Sequence, residues 1–220
     1  DTQLKEVVVS IETMRSFYTM SEELLQDGDN LESFLRSRFI QQMITKQNAE
    51  LINGSGTINS LNANKVDCPT DSSLIFADSV DNAQIQDVLR AVIGQQSNSG
   101  YNVNLIILSP KMMFELQFVK DSNNNYISNG LQVVSPNYAR FNGVDIYSTE
   151  ALTGDVAFAV DTEKYGVLCR KNVYDLKLTK EGKDALVNNV AYLGIQSRFN
   201  LAVLNSSANM KFDFSDVKSV

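Results

Sequence analysis

Few residue types in this chain can carry out chemistry. The 220 residues include no histidine, so no Ser-His-Asp triad, Cys-His dyad, histidine base or His-ligated zinc site can be assembled from them. The two cysteines, Cys68 and Cys169, stand far apart and outside any CxxC spacing, which removes thiolate zinc and iron–sulfur sites as well. Glu22 beside Glu23 is a carboxylate pair. It reads either as a metal or acid–base site or as anions favoured in the first turn of a helix. The run Gly54-Ser55-Gly56 resembles a phosphate cradle, but it follows a helical stretch instead of opening one, so the helix dipole points the wrong way. No catalytic, cofactor-binding or metal-ligating residue is assigned.

The charged side chains suggest contact rather than catalysis. Arg36, Arg38 and Lys46 fall on the outer side of a helix, either paired with Glu32 and Glu50 or facing another subunit or nucleic acid. Lys164, Arg170, Lys171, Lys177, Lys180 and Lys183 are interleaved with Asp161, Glu163, Asp175, Glu181 and Asp184, a mixture that reads as a complementary contact surface rather than a nucleic-acid groove. Phe17, Tyr18, Phe34, Phe39, Phe114, Phe118, Tyr174 and Tyr192 are mostly assigned to core positions, which leaves no base-stacking platform. A net charge of −7 argues against general affinity for phosphate backbones or anionic lipid. With 43% hydrophobic and 20% charged residues the chain is globular, not disordered. Two thiols in this length point to a reducing compartment, with both expected as small buried hydrophobes. No apolar run approaches the length of a membrane-spanning helix. The opening DTQLKEVVVS is neither a signal peptide nor a methionine start, so the chain reads as a fragment, a processed product or a trimmed chain.

The elements that position these groups follow from periodicity. Residues 4–18 alternate, with Val7, Val9, Ile11 and Thr13 on one face, as a half-buried strand. Residues 19–27 read as a short helical turn with Thr19 and Glu22 at capping-box spacing, and Asp29 with Glu32 repeats that spacing. The helix so opened runs over 30–52, with Leu31, Phe34, Leu35, Phe39, Met43, Ile44, Ala49 and Ile52 inward. It is about 33 Å long and stops at Gly54. Residues 53–80 read as loop. Residues 82–93 form a second amphipathic helix with Ile85, Val88, Leu89, Val92 and Ile93 inward. Residues 103–108 form a strand buried on both faces. Ser109-Pro110 opens a third helix, and 120–126 form a turn. Strands at 143–148, 156–160 and 165–169 complete a mixed α/β layer. Residues 172–182 and 187–203 alternate as a long hairpin, through Tyr174, Leu176 and Leu178 and through Val190, Tyr192, Gln196 and Arg198, and this ribbon suits the strand at 4–18 as a partner. The chain is thus α+β and divides into a discontinuous domain (1–54 and 172–204) and an inserted one (55–171), to which 205–220 returns.

Four stretches, taken in order, resemble tailed-phage major capsid proteins of the Hong Kong 97 fold. The first runs from SIETMRSFY through the long helix to its stop at Leu51-Ile52-Asn53-Gly54-Ser55-Gly56. The second is LIILSPKMMFELQFVKDSNNNYI, with Ser109, Pro110, Lys120, Asp121 and Tyr126 at the family's turn, helix and aromatic positions. The third is Gly143 to Ser148, and the fourth is the hairpin from Val187 to Val203. The resemblance covers nearly the whole chain. It implies a peripheral domain with a spine helix and long β-hairpin, and an axial domain with the mixed layer. It also implies a structural, non-enzymatic role: self-assembly through pentamers and hexamers into the icosahedral shell of a bacteriophage or prophage virion, built in the host cytoplasm. The shell would enclose DNA by weak non-specific contact, with scaffold, portal and maturation protease as further partners and with no cofactor or membrane. An encapsulin-type compartment shell shares the fold, and a soluble α/β enzyme is the alternative from another class.

In that family an N-terminal arm and most of an extended loop would precede residue 1. Some members weld subunits by a Lys–Asn isopeptide bond promoted by a glutamate. The asparagine matches Asn189, but Gln196 takes the glutamate's place and cannot act as a base, and the lysine would lie on the loop, so no crosslinking chemistry is expected. Because much of the family's intersubunit grip resides in arm and loop, residues 1–220 alone are expected to stay a monomer or small oligomer. Light scattering of the purified chain checks this, and closed shells would contradict it.

Overall fold

A computed structural model describes residues 6–21, 31–54, 56–68, 84–120, 123–126, 130–181 and 187–214. In chain order the elements are β1 (Glu12–Ser21), α1 (Leu31–Asn53), β2 (Val66–Asp67), α2 (Ile85–Asn98), β3 (Leu105–Leu108), α3 (Pro110–Gln117), β4 (Leu131–Ser135), β5 (Tyr138–Phe141), β6 (Val144–Ser148), β7 (Val156–Val160), α4 (Thr162–Tyr165), β8 (Gly166–Thr179), β9 (Val190–Val203) and β10 (Asn209–Asp213). The chain splits into two compact units, Asp1–Asn59 with Leu168–Ala202 and Ser60–Val167 with Val203–Val220.

The first unit is a three-stranded sheet of order β1-β9-β8 together with the helix α1. β1 pairs antiparallel with β9 from Glu12↔Phe199 to Ser21↔Val190. This shifts the strand from its expected place. Residues 6–11 are not strand, because the ladder reaches only Glu12; of the residues expected inward there, Val7 is exposed and Val9 and Ile11 are half-buried. The face turned inward is Met14, Ser16, Tyr18 and Met20, so Thr13 lies on the outer side. Side chains alternate every residue, and the register with the partner strand chooses which set is covered. Thr19 lies within β1 and caps no helix; Glu22, Glu23 and Asp29 lie outside the described residues. The expected strands at 165–169 and 172–182 are one continuous β8. In β9 the alternation holds, with Ala191, Leu193, Ile195, Ser197 and Phe199 buried and Val190, Tyr192, Gln196 and Arg198 half-buried on the other face.

The helix α1 has 23 residues, as the periodicity predicts. Its buried seam is Phe39, Met43, Gln47 and Ile52, flanked by half-buried Leu35, whereas Phe34 and Ile44, expected inward, are exposed. Three strands cover one side of a helix, so the wide apolar stripe read from spacing is only partly used. Tyr18 stacks on Phe39 at 3.9 Å between ring centroids. Hydroxyls and amides complete the seam. Tyr18 donates to Gln42 Oε1 (2.6 Å), Tyr174 donates to Gln47 Oε1 (3.0 Å), and Lys46 Nζ donates to Ser16 Oγ (3.2 Å).

The second unit is built on a seven-stranded mixed sheet of order β2-β10-β7-β3-β6-β5-β4. Parallel β3 and β6 frame the crossover that carries α3. α2 turns Val88, Leu89 and Val92, and α3 turns Met112, Met113 and Leu116, onto Ile106, Leu108, Ala139, Phe141, Ile146, Ala159 and Phe212 of the sheet. β3 is sealed on this face alone, since Leu105 and Ile107 are half-buried rather than buried as expected. Ser109 Oγ accepts from Met112 N–H at the start of α3, with Pro110 in the first turn. The short strands β2, β4, β5 and β10 lie outside the expected set; unlike β3 and β7 they carry no continuous apolar run to mark them. Asn142 (φ 48°) and Gly143 (φ 88°) make the tight turn that joins β5 to β6. Both thiols are of intermediate exposure rather than buried, with Cys68 half-packed against the second unit's core.

On the opposite face of this sheet, polar side chains fasten the segment Ser60–Asn64. Tyr165 donates its hydroxyl to Ser60 O (3.4 Å) and Asn64 O (3.1 Å). Asn209 Nδ2 donates to Leu61 O (2.8 Å) and Asn64 O (2.9 Å). Asp161, buried, caps α4 by accepting from the N–H groups of Glu163 and Lys164, and also accepts from Asn102 N–H.

Two measurements test this packing. Gly130 has φ +91°, and a Cβ there would stand 2.2 Å from Asn142 Oδ1; Gly100 has φ +84° with open space around it. Gly100→Ala should cost about 1 kcal/mol for its backbone alone, and Gly130→Ala somewhat more because the Asn142 side chain must turn aside, by urea unfolding. Burial pushes the Tyr165 hydroxyl up to about 12. The folded chain therefore holds this proton more tightly than the unfolded one. The resulting stability is complete below about pH 10 and is lost as pH rises toward the folded value. Tyr165→Phe should lower stability by about 1 kcal/mol at neutral pH and flatten its decline in alkaline urea melts.

Candidate functional site

A concavity lies on the face of the first unit's sheet that does not meet α1. Register sets its members: Arg15 pairs with Gln196 and Phe17 with Gly194. With Asp175, Lys177 and Ile195 they line a half-open hollow of about 280 Å³. Phe17 is 71% exposed. Its ring lies across Gly194, where a Cβ would come within 3.3 Å of Phe17 Cε1. Glycine in the middle of a long strand marks such a close approach. Asp175 accepts from Gln196 Nε2 (2.8 Å) and lies 3.6 Å from Lys177 Nζ. The hollow thus combines an aromatic shelf, two cations and one carboxylate that is already engaged. It offers contact by shape and charge, without an arranged nucleophile and base.

A second polar constellation stands on β5 and β6. Asp145 Oδ1 accepts from Tyr138 Oη (2.8 Å) and from Arg140 Nε (2.7 Å), and Tyr138 stacks on Tyr147 at 4.8 Å. The Arg140 hydrogen bond, then that of Tyr138, holds the Asp145 carboxyl below its usual range, and the same bond to Asp145 pushes the Tyr138 hydroxyl up. These groups are solvent-facing, and their mutual satisfaction is that of a surface pair. Among the described residues no group of three or more His, Cys, Asp or Glu side chains stands close enough to hold a metal ion, and no helix is long and apolar enough to cross a membrane.

The residues singled out from sequence separate. Glu22, Glu23, Ser55, Lys183 and Asp184 lie outside the described residues. Gly54 and Gly56 take positive φ at the end of α1. Arg36, Arg38 and Lys46 are exposed, and Lys46 reaches Ser16 of β1. The mixed-charge stretch belongs to two units: Asp161, Glu163 and Lys164 to the second, Arg170 to Glu181 to the first. Within it Lys164 Nζ donates to Gly100 O (2.7 Å). The aromatic assignment needs correction. Phe39 is buried and Tyr18, Tyr174 and Tyr192 are half-buried, but Phe17, Phe34, Phe114 and Phe118 are exposed. Hydrophobic spacing reports where an apolar side chain is, not whether anything covers it.

The chain has a two-unit α+β fold, with a long helix against a three-stranded ribbon sheet and a mixed sheet of its own in the second unit, and it matches the Phage capsid family over residues 1–214. It belongs to that family. It is 22% identical over 216 residues to the major capsid protein of Enterobacteria phage HK97, a match that covers 98% of this chain and 54% of the relative. The chain therefore spans about half the length of that curated relative. Among solved structures, one from Mycobacterium phage Adephagia matches with a TM-score of 0.67 at 13% identity, covering 92% of this chain and 71% of that one. The capsid of an empty GTA particle matches with a TM-score of 0.70 at 13% identity, covering 97% and 78%. At that identity the likeness establishes the fold, which is the α+β Hong Kong 97-like capsid fold.

Proposed function

We propose that this chain is the wall-forming part of a phage major capsid protein, a structural component and not an enzyme. The first unit serves as peripheral domain and the second as axial domain. Copies join as pentamers and hexamers and close into an icosahedral shell around DNA. The observation that carries this reading is the family match over residues 1–214, supported by the fold likeness to phage and GTA capsids.

The physical mechanism is repetition. One surface is used in many similar settings, each contact is modest, and multivalency makes the closed shell stable. The hollow around Phe17 and Gly194 and the exposed aromatics suit such contacts, because they offer shape and apolar area without a reactive group. A net charge of −7 favours weak, non-specific contact with packaged DNA, which eases its entry and release. Scaffold, portal and maturation protease complete the proposed set of partners, the virion is the proposed location, and the host cytoplasm is the proposed place of assembly.

Electron microscopy of the full-length product, expressed with its neighbouring assembly genes, tests the reading. Hollow particles on the order of tens of nanometres wide are expected; a product that remains a monomer or small oligomer would refute it.

A further inference from the structure

We propose that Phe114 of α3 and Phe118 at its C-terminal cap, with the adjoining Tyr126, form a ridge through which the second unit of one copy of this chain contacts a second copy. The inference rests on the shell reading above and names one of its contact surfaces.

The helix α3 is apolar on two sides. Met112, Met113 and Leu116 point into the core and are fully buried. Phe114 on the helix and Phe118 at its C-terminal cap are four residues apart and are 46% and 61% exposed. The intramolecular fold is satisfied by the first set and leaves the second uncovered. Tyr126, 65% exposed, is brought beside the end of α3 by the bridge Lys120↔Tyr126 and by Lys120 Nζ, 4.7 Å from its ring centroid.

Electrostatics argues for a second copy as the occupant. The chain carries a net charge of −7, so two copies repel over most approaches. Around this ridge the named charges balance, two cations against two carboxylates. Lys111 stands 3.8 Å from Glu115 and 3.7 Å from Asp155, and Lys120 adds a cation that an acidic copy would meet.

Area argues in the same direction. The exposed parts of the three aromatics amount to about 340 Å². A stable two-body interface needs roughly 800 Å² from each partner. The ridge is too small to hold a partner alone and large enough for a weak contact repeated around a ring.

The test uses the full-length product. Both phenylalanines are exposed, so Phe114→Ser with Phe118→Ser should keep the wild-type melting transition by circular dichroism, and Phe118→Ser alone serves if the pair does not. The serine variants should lower the yield of closed particles at least about ten-fold, whereas Phe114→Leu with Phe118→Leu should assemble within about two-fold of wild type. Wild-type yields from folded serine variants would overturn the proposal. So would particles that form normally but lose another bound protein, because the ridge would then serve that protein. If the wild-type product forms no particles, the shell reading fails separately, and sedimentation velocity decides the ridge. Concentration-dependent association that the serine variants weaken at least about ten-fold sustains it; a wild-type monomer at every concentration overturns it.

Discussion

The ladder between β1 and β9 is the interaction on which the first unit depends. It joins residues 12–21 to residues 190–199. Bringing together segments so distant in sequence costs loop-closure entropy before any contact rewards it. The return is a continuous surface for α1. Phe39 and Met43 bury against it, at about 2–3 kcal/mol each. The hydrogen bonds from Tyr18, Tyr174 and Lys46 each add about 1 kcal/mol. Apolar burial supplies most of the adhesion, and the polar rungs set where along the sheet the helix lies. Asn200, buried in the same unit, ties further segments to it by donating to Ser10 O (2.7 Å) and accepting from Asn59 N–H (2.9 Å).

The second unit reaches stability by another route. One face of its sheet is a dry core closed by α2 and α3, in which Leu89, Ile106, Met112, Phe141 and Ile146 are sealed from water. On the other face, Tyr165, Asn209 and Asp161 satisfy backbone groups of segments that belong to no sheet. A buried carbonyl left unpaired would cost about 1–3 kcal/mol, so these side chains are what allows irregular backbone to lie there. The short strands β4 and β5 extend the sheet at one edge, where Val133 and Val134 are exposed.

In both units polar side chains are engaged within the fold, with one another in the first and largely with backbone on the second unit's polar face. The carboxylates with close partners, such as Asp145, Asp161 and Asp175, are occupied by hydrogen bonds or ion pairs within their own unit. Apolar surface is left exposed beside them: the Phe17 shelf above Gly194, Phe34 of α1, and Phe114 and Phe118 at α3 and its cap. This pattern suits a chain whose work is repeated contact.

Much of this was legible in the residues themselves. The long helix ending before Gly54, the helix opened by Ser109-Pro110, the inward set Val88, Leu89 and Val92, and the late ribbon all follow from local periodicity and capping, which depend on neighbours a few residues away. The family resemblance followed from motif order, and the family match bears it out. Tertiary structure alone decided which face of each element is covered. Within the ladder Met14, Ser16, Tyr18 and Met20 point inward and Thr13 outward because the register with β9 selects them, and a shift of one residue exchanges the faces. Phe34, Phe114 and Phe118 stay exposed because burial requires an opposing surface. Periodicity, a property of one segment, contains no information about whether that surface is there.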